Sequence, residues 1–279
     1  MPLVPTAEIV GPASRAGRGV GAFNVVQIEN AEALVAGAEG ARAPVVLQIS
    51  ENAVRYHGAL EPLALATLSI ARTASVPVAV HLDHATDPGL VEQAIELGFG
   101  SVMYDGSALD FDANVATTVE VTRRCRTADV FVEAELGEVG GKDGVHARGV
   151  RTDPEEARQF VSATGVDALA VAVGTSHAML TREARLDFDL IAALRAALPV
   201  PLVLHGSSGV PDGDLTRAVA AGMTKVNIAT QLNKVFSRAV RDHLAEHPDV
   251  VDPRRYLSAG REAVRAEATR LLQVLRAGR

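Results

Sequence analysis

The sequence predicts one α/β domain over residues 1–279, a single (β/α)8 TIM barrel with extra C-terminal helices. Three observations lead to this fold class. Eight short apolar runs of strand character alternate with longer segments of helical spacing, which favours a parallel sheet. The length of 279 residues is close to the roughly 250 that are typical of such a barrel. No Gly-x-Gly-x-x-Gly motif follows the first run, so a dinucleotide-binding doubly wound sheet has little support.

The runs and segments follow one another in order along the chain. Apolar residues dominate the strand runs, which we place at 19–26, 44–50, 77–84, 101–107, 130–137, 168–174, 201–207 and 225–230. Pro or Asp near the start, and in several cases Gly or Pro at the end, mark helical segments at 88–98, 111–127, 154–165, 187–198 and 212–222. Two further amphipathic segments, 231–246 and 261–277, predict helices that close the barrel or form a subunit contact.

Composition and charge exclude several classes of protein. With 48% hydrophobic but only 4% aromatic residues and no Trp, the core must consist of aliphatic side chains, as in a barrel interior. The net charge of −7, with no basic stripe, argues against nucleic acid or an anionic membrane as the main partner. The N-terminus has no basic or long apolar leader, and no apolar stretch reaches about 18 residues. We therefore expect a cytoplasmic protein.

Cys125 is the only cysteine, in an arginine-rich stretch at 122–126 that is typical of the exposed end of a helix. A single thiol can form neither an internal disulfide nor a cysteine zinc site. Any metal must therefore be held by histidine and carboxylate.

The third strand run, Val78-Ala-Val-His-Leu-Asp-His84, ends in polar groups. Alternation along an ideal strand places His81 and Asp83 on one face, with His84 at the following turn. Barrel enzymes keep their reactive groups at such strand ends. Two core histidines beside an Asp that caps a helix would explain this stretch, taken alone, equally well.

Four of the eight histidines fall at the C-terminal ends of strand runs: His81 and His84 on the third, His177 on the sixth and His205 on the seventh. In a barrel these ends meet at one mouth. Three imidazoles with an open fourth position are typical of catalytic zinc. We assign His84, His177 and His205 as ligands of Zn²⁺; the alternative is separate histidines that form hydrogen bonds at strand ends.

Glycine and small polar residues follow the seventh and eighth runs, in Gly206-Ser-Ser-Gly209 and Asn227-Ile-Ala-Thr230. Loops at these two positions of a barrel commonly bind phosphate through backbone N–H groups. Two ordinary turns with helix-capping hydroxyls are the alternative.

A longer glycine-rich segment, 138–152, is either a mobile lid over the mouth or a plain surface loop.

Six motifs together resemble the zinc-dependent class II aldolases, which cleave fructose or tagatose bisphosphate. They are Ala22-Phe-Asn-Val25, His81-Leu-Asp-His84, Ser101-Val-Met-Tyr-Asp-Gly-Ser107, Val173-Gly-Thr-Ser-His177, His205-Gly-Ser-Ser-Gly-Val-Pro211 and Lys225-Val-Asn-Ile-Ala-Thr230. The likeness runs from about Ala22 to Leu257 with family-like spacings. It implies reversible cleavage of a ketose phosphate to dihydroxyacetone phosphate and an aldehyde through an enediolate, in a homodimer or homotetramer.

The resemblance also implies roles for single residues. Zinc is bound by His84, His177 and His205, and Asp83 is the acid/base on the C4 hydroxyl. Residues implied to bind dihydroxyacetone phosphate are Gly206, Ser207, Ser208, Asn227, Ala229 and Thr230. Gln48 and Ser50 match positions near a second phosphate, and Asn24 lies in the matching motif of the first strand.

The chain departs from the family pattern at two places. Ala178 stands where the family usually has Gly, a position at which the backbone approaches phosphate and often a monovalent cation, Na⁺ or K⁺. The lid reads Gly140-Gly-Lys-Asp-Gly144, one acid short of the usual pattern. We therefore expect Asp143 to be the lid acid, with Glu138 in reserve. Both departures suggest an altered substrate or slower chemistry.

Two rival functions follow from the same residues. An aldolase that forms a Schiff base needs a lysine at the mouth, but the three lysines are expected in the lid (Lys142), at the barrel bottom (Lys225) and in the helix after the eighth strand (Lys234). A sugar-phosphate-binding barrel whose chemistry has decayed is the non-enzymatic rival. Ala178 and the shortened lid are the features that favour it.

Overall fold

The computed structural model describes residues 2–137, 151–176 and 179–276. Eight parallel strands form a closed barrel in sequence order, and the first strand pairs with the last. The strands are β1 Val20–Asn24, β2 Val45–Ser50, β3 Val78–Ala85, β4 Ser101–Tyr104, β5 Phe131–Leu136, β6 Ala168–Val171, β7 Leu202–Leu204 and β8 Met223–Ile228. The predicted (β/α)8 barrel is therefore confirmed.

Helices surround the barrel in the order that a (β/α)8 fold requires. They are α1 Thr6–Arg15, α2 Ile28–Ala41, α3 Glu51–His57, α4 Glu61–Thr73, α5 Pro88–Leu97, α6 Phe111–Thr127, α7 Pro154–Thr164, α8 Phe188–Ala197, α9 Asp212–Ala221, α10 Thr230–Glu246 and α11 Pro253–Arg276. Asp side chains cap α5, α6, α7 and α8 at their N-termini, which explains why the predicted starts lie within a residue of the observed ones. No helix within the described ranges is long and apolar enough to cross a membrane.

Alternating side chains fill the barrel from its closed bottom to its polar mouth. At the bottom, Ile9 and Ala13 of α1 pack against Val20, Val46 and Ala79 of the first three strands. Higher in the barrel the same inward-facing positions become polar on several strands, as at Gln48 and His81, both fully buried. The apolar base holds the strands, and the mouth is left for chemistry.

The C-terminal helices cover the outside of the barrel. Helix α11 packs along α2, where a Cβ on Gly37 would lie 2.7 Å from that of Ala268. Its apolar face, including Leu271 and Leu275, is buried. This is one of the two roles expected for the segment, although α11 begins at Pro253, eight residues before the predicted start.

Cys125 contradicts the expectation that it lies on an exposed helix end. It is in the last turn of α6, but its side chain is fully buried on the inner face of that helix. Burial raises the pKa of the thiol to about 11, and the charge of Asp167 adds to the effect. The neighbouring arginines, which suggested exposure, belong to the outer face.

Candidate active site

The end of β3 places Asp83 inside the barrel and turns His84 at its rim. Asp83 is buried, as is His81 two residues earlier, so the predicted shared face is correct. His84 has a left-handed backbone with φ of 51°, and the pairing of β3 with β4 shifts register between Leu82 and Ala85. An extra residue in a strand re-aims the side chains around it. This conformation is uncommon outside glycine, and residues held in it are often found at functional positions.

Asp83 is an anchored carboxylate. Gln48 donates a hydrogen bond of 3.3 Å to its Oδ2, and Asn227 donates one of 3.2 Å to its Oδ1. Burial alone would raise the pKa of Asp83, but the charges of His84 and other nearby groups outweigh it and lower the pKa. Asp83 is therefore ionised at neutral pH and can accept a proton.

His84 lies between two acidic side chains that the sequence interpretation did not select. Its Nδ1 lies 2.7 Å from Oδ2 of Asp105 and 3.9 Å from Oε2 of Glu135. Asp105 follows β4, and Glu135 is an inward-facing residue of β5. With Nδ1 engaged by Asp105, Nε2 is the nitrogen that we assign to a metal.

His205 comes directly after β7, which ends at Leu204, rather than within the strand as expected. The side chain is fully buried. Its Nε2 lies 3.0 Å from Oε1 of Glu133, and its Nδ1 lies 3.3 Å from Oε2 of Glu135. Burial disfavours the protonated ring, but the two glutamates outweigh burial and raise the pKa of His205 to about 9. The rings of His205 and His84 are in edge-to-face contact, with centroids 4.6 Å apart.

These side chains form a donor set that fits a divalent metal. Potential ligand atoms of Asp83, His84 and His205 all lie within 4.8 Å of one another, and the same holds for His84, Asp105 and Glu135. Imidazole with carboxylate suits zinc, and no cysteine is required. The predicted third imidazole, His177, lies outside the described residues, as does Ala178.

His81 occupies a deeper position and has a different environment. Its Nδ1 lies 2.8 Å from Oγ of Ser101, inside the barrel. Burial and the nearby charge of Lys225 lower the pKa of His81 to about 3, so the ring is neutral. His81 is a buried, hydrogen-bonded core histidine, which was the alternative considered for this stretch.

The loop after β7 brings backbone close to the predicted phosphate region. Gly206 has a φ of +66°, and a Cβ there would lie 2.6 Å from the carbonyl oxygen of Ser176. Only glycine fits both constraints. A 3-10 turn, Ser207–Gly209, follows, and Oγ of Ser208 accepts a hydrogen bond of 3.1 Å from the backbone of Gln231 at the start of α10.

One cavity of about 370 Å³ at the barrel mouth collects most of the predicted residues. Its lining includes Asn24, Gln48, Ser50, Asp83, His84, Gly206, Ser207, Ser208, Asn227, Ala229 and Thr230. It also includes residues that the sequence interpretation missed, namely Glu51, Asn52, Arg55, Thr86 and Asp105. Both predicted lid acids, Glu138 and Asp143, lie outside the described residues, so the lid interpretation stays a prediction.

The missed acids left a signal in the sequence. Glu133 and Glu135 are two apart in an otherwise apolar run, so alternation places both on one face. Both are fully buried inside the barrel. Two carboxylates on the inner face of a barrel strand indicate partners with positive charge or a metal. Asp105 directly follows β4, as Asp83 lies near the end of β3, and the same strand-end rule would have selected it.

Lys225 also differs from its expected place. It does not open β8 at the barrel bottom, because Met223 and Thr224 precede it in that strand. Its side chain is fully buried, with Nζ 2.8 Å from Oε2 of Glu133. Lys225 is not among the residues that line the cavity, and Lys234 donates a hydrogen bond to the carbonyl oxygen of Leu180.

Comparison with known proteins gives a consistent result. Residues 4–278 match the model of the family described as fructose-bisphosphate aldolase class-II. The chain is 30% identical to the YdjI aldolase from Escherichia coli K12, with a TM-score of 0.87 over 98% of this chain and 97% of that one. It is 28% identical to a candidate fructose-1,6-bisphosphate aldolase from Coccidioides immitis, with a TM-score of 0.86 over 96% and 94% of the two chains. The fructose-bisphosphate aldolase of Campylobacter jejuni, at 23% identity and a TM-score of 0.82 over 99% and 96%, shares the fold.

Proposed function

Because the chain belongs to the class II fructose-bisphosphate aldolase family, we propose that it is a zinc-dependent aldolase that reversibly cleaves a ketose phosphate to dihydroxyacetone phosphate and an aldehyde. The observation that carries this proposal is the cluster of Asp83, His84 and His205. These residues offer ligand atoms within 4.8 Å of one another, and Asp83 and His84 line the cavity. An anchored base beside a metal site is what an aldol cleavage needs.

The metal would be held by His84 and His205, with His177 as the predicted third ligand. When bound, zinc would supply a Lewis acid that polarises the ketone and stabilises negative charge developing on its oxygen. Asp105 and Glu133 each accept a hydrogen bond from one of these imidazoles, which fixes the ring orientations. The rings of His84 and His205 are thus held in fixed orientations by the protein itself.

Asp83 is the proposed acid/base on the C4 hydroxyl. It is ionised at neutral pH, because nearby positive charge lowers its pKa. Gln48 and Asn227 each donate a hydrogen bond to one of its two oxygens, so the carboxylate would keep its orientation when substrate enters. A proton taken from the C4 hydroxyl would start cleavage of the C3–C4 bond.

Two buried amide oxygens are evidence that the substrate is rich in hydroxyl groups. Oε1 of Gln48 and Oδ1 of Asn227 are buried at the cavity wall and have no hydrogen-bond partner among the described residues. A buried acceptor without a donor costs free energy, so a ligand hydroxyl would satisfy each of them. The phosphate would lie on the other side, at Gly206, Ser207, Ser208, Ala229 and Thr230, where small residues expose the backbone.

Several finer features belong to the proposal as predictions from the family resemblance. Ser50, which caps α3 through a bond of 3.2 Å to the backbone of Ala53, lies at the cavity edge where a second phosphate would reach. The lid acid, Asp143 or Glu138, would protonate C3 of the triose. The proposal also includes a monovalent cation beside the phosphate. It includes assembly as a homodimer or homotetramer as well.

The deciding experiment joins a metal assay to a cleavage assay. We expect about one zinc per chain in the purified protein, loss of cleavage on chelation and recovery with added Zn²⁺. The substrate panel should contain fructose and tagatose bisphosphates and the corresponding monophosphates. Full activity after verified metal removal contradicts the proposal. Zinc and phosphosugar binding without turnover of any ketose would indicate a binding protein with decayed chemistry.

A further inference from the structure

A buried ion pair lies directly beneath the proposed zinc site. The interior of a barrel is usually filled by layers of branched aliphatic side chains. Here Glu133 of β5 and Lys225 of β8 point inward instead, with Nζ 2.8 Å from Oε2. Both side chains are fully buried, and neither lines the cavity. Direct contact with substrate therefore does not explain them.

Stability does not explain the pair either. Taking two charges out of water is costly, and apolar residues of similar volume are often as stabilising as a buried ion pair, or more so. Glu133 makes one further contact, from Oε1 to Nε2 of His205 at 3.0 Å. Glu133 thus connects Lys225 to an imidazole that we assign to zinc.

The contact with Glu133 determines which nitrogen of His205 can bind a metal. A neutral imidazole carries one proton, and the nitrogen without it is the ligand. An ionised carboxylate only accepts hydrogen bonds, so Glu133 favours the proton on Nε2 and leaves the lone pair on Nδ1. Two groups oppose this. The Nδ2 donor of Asn227 lies 3.1 Å from the same Nε2, and Oε2 of Glu135 lies 3.3 Å from Nδ1. Charge-assisted hydrogen bonds are roughly twice as strong as neutral ones, which favours Glu133 over Asn227. Glu133 is also the closer of the two carboxylates, at 3.0 Å against 3.3 Å, so its effect on the ring is the larger.

We infer that Glu133 and Lys225 are a positioning pair that selects the Nε2–H tautomer of His205 and so directs Nδ1 to the metal. Lys225 acts through Glu133, because its ammonium holds Oε2 and keeps Oε1 aimed at the ring. This inference rests on the proposed function for the identity of the metal. The tautomer itself is a property of the protein alone.

The test compares zinc affinity with the stability of the metal-free protein. Lys225→Met leaves a buried carboxylate without its counter-ion, so we expect a lower melting temperature and zinc affinity weakened by about 10- to 100-fold, the usual cost of losing a partner of a metal ligand. The double variant Glu133→Leu with Lys225→Met removes both charges. Its melting temperature should recover toward the wild-type value, but its zinc affinity should stay weakened, because Nε2 has lost its acceptor.

A merely structural pair predicts the opposite result for the double variant. Zinc affinity within about threefold of wild type, measured by competition with a chromophoric chelator, would overturn the inference. Ser101→Ala is the matched control: it removes a buried hydroxyl bonded to His81 at 2.8 Å without touching His205. This control should leave zinc affinity unchanged.

A second readout does not depend on the metal. Nitrogen-15 shifts of labelled histidine, followed in metal-free protein over a pH series until the ring of His205 has lost its proton, report the tautomer directly. We expect Nε2–H in the wild type and Nδ1–H in the double variant. Nδ1–H in the wild type would overturn the inference. Failure of the wild type to bind zinc would instead contradict the proposed function and leave the tautomer result standing.

Discussion

The side-chain amide of Asn227 donates a hydrogen bond of 3.2 Å to Oδ1 of Asp83, across 144 residues of sequence. Gln48 approaches the other oxygen, Oδ2, at 3.3 Å. Amides do not titrate, so they hold the carboxylate in place without supplying a proton that would neutralise it. A base fixed in this way can accept a proton at neutral pH and keep its orientation.

Asp83→Asn should separate the two halves of the proposed reaction. The variant keeps the volume of the side chain and removes the titrating group, so zinc should stay bound. Ketose cleavage should fall by a factor on the order of 10² to 10⁴, the usual contribution of one acid/base group. Exchange of the C3 proton of dihydroxyacetone phosphate with solvent involves no C4 oxygen and should survive. Deuterium incorporation and cleavage, measured side by side, test this.

The lid acids give the converse prediction. Asp143→Asn should depress cleavage and C3 exchange together, because the triose would lose its proton donor. Glu138→Gln is the matched control and should leave exchange close to the wild-type rate. If Glu138→Gln depresses both reactions and Asp143→Asn leaves C3 exchange near the wild-type rate, the lid role belongs to Glu138. If neither affects exchange, the C3 proton donor is another residue.

Much of this site could be predicted because barrel geometry is regular. Strand alternation predicted that His81 and Asp83 share one face of β3, and strand ends predicted that His84 and His205 meet at the barrel mouth. Local departures from regularity could not be predicted in the same way. The left-handed backbone of His84 and the register shift beside it depend on pairing with β4, which no local pattern encodes.

Lys225 and Cys125 show a different reason for error. Both were interpreted from their neighbours: a lysine at the start of a strand run, and a cysteine among arginines. The actual start of β8 at Met223 moves Lys225 inward, where Glu133 offsets its charge. Cys125 faces the barrel because a helix presents different faces at successive residues. Burial depends on the partner surface, which composition alone does not contain.

Cys125 should resist modification in the folded protein. The thiolate is the reactive form, and burial with the charge of Asp167 raises the pKa of this thiol to about 11. At pH 8 we expect less than one tenth of the chains to react with a thiol reagent in the time that urea-unfolded protein reacts fully. The chromophore that the thiol reagent releases, measured for folded and for urea-unfolded protein, tests this. Equal rates would mean that α6 opens readily or that the side chain is exposed.

Ser208 is expected to contribute to stability as well as to phosphate binding. Its Oγ accepts from the backbone of Gln231 in the first turn of α10, a contact of the kind that caps a helix. Ser208→Ala should lower the free energy of unfolding by about 1 kcal/mol and raise KM for the ketose phosphate. Ser237→Ala, in the middle of α10, is the control and should not destabilise the helix. Urea titrations of both variants test the stability term. An unchanged unfolding free energy for Ser208→Ala would contradict it.

The raised pKa of His205 predicts how zinc binding depends on pH. The ring must lose a proton before it can bind metal, and its pKa is about 9 in the metal-free protein. Between pH 9 and pH 7 this proton competes with the metal, so apparent zinc affinity should fall about tenfold for each pH unit. Competition titrations with a pH-independent chelator at pH 7, 8 and 9 give the slope. A flat profile over this range would show that His205 is already neutral at pH 7.

The same proton should affect the stability of the metal-free protein in the opposite direction. The folded pKa of about 9 lies above the unfolded value of roughly 6.5, so folding favours the protonated ring. The resulting stabilisation is fully present below about pH 6.5 and is lost as the pH rises through about 9. His205→Gln removes this term, so the difference in unfolding free energy between wild type and variant should shrink between pH 6 and pH 9.5. A difference that stays constant or grows over that range would mean that Glu133 and Glu135 do not hold a proton on His205.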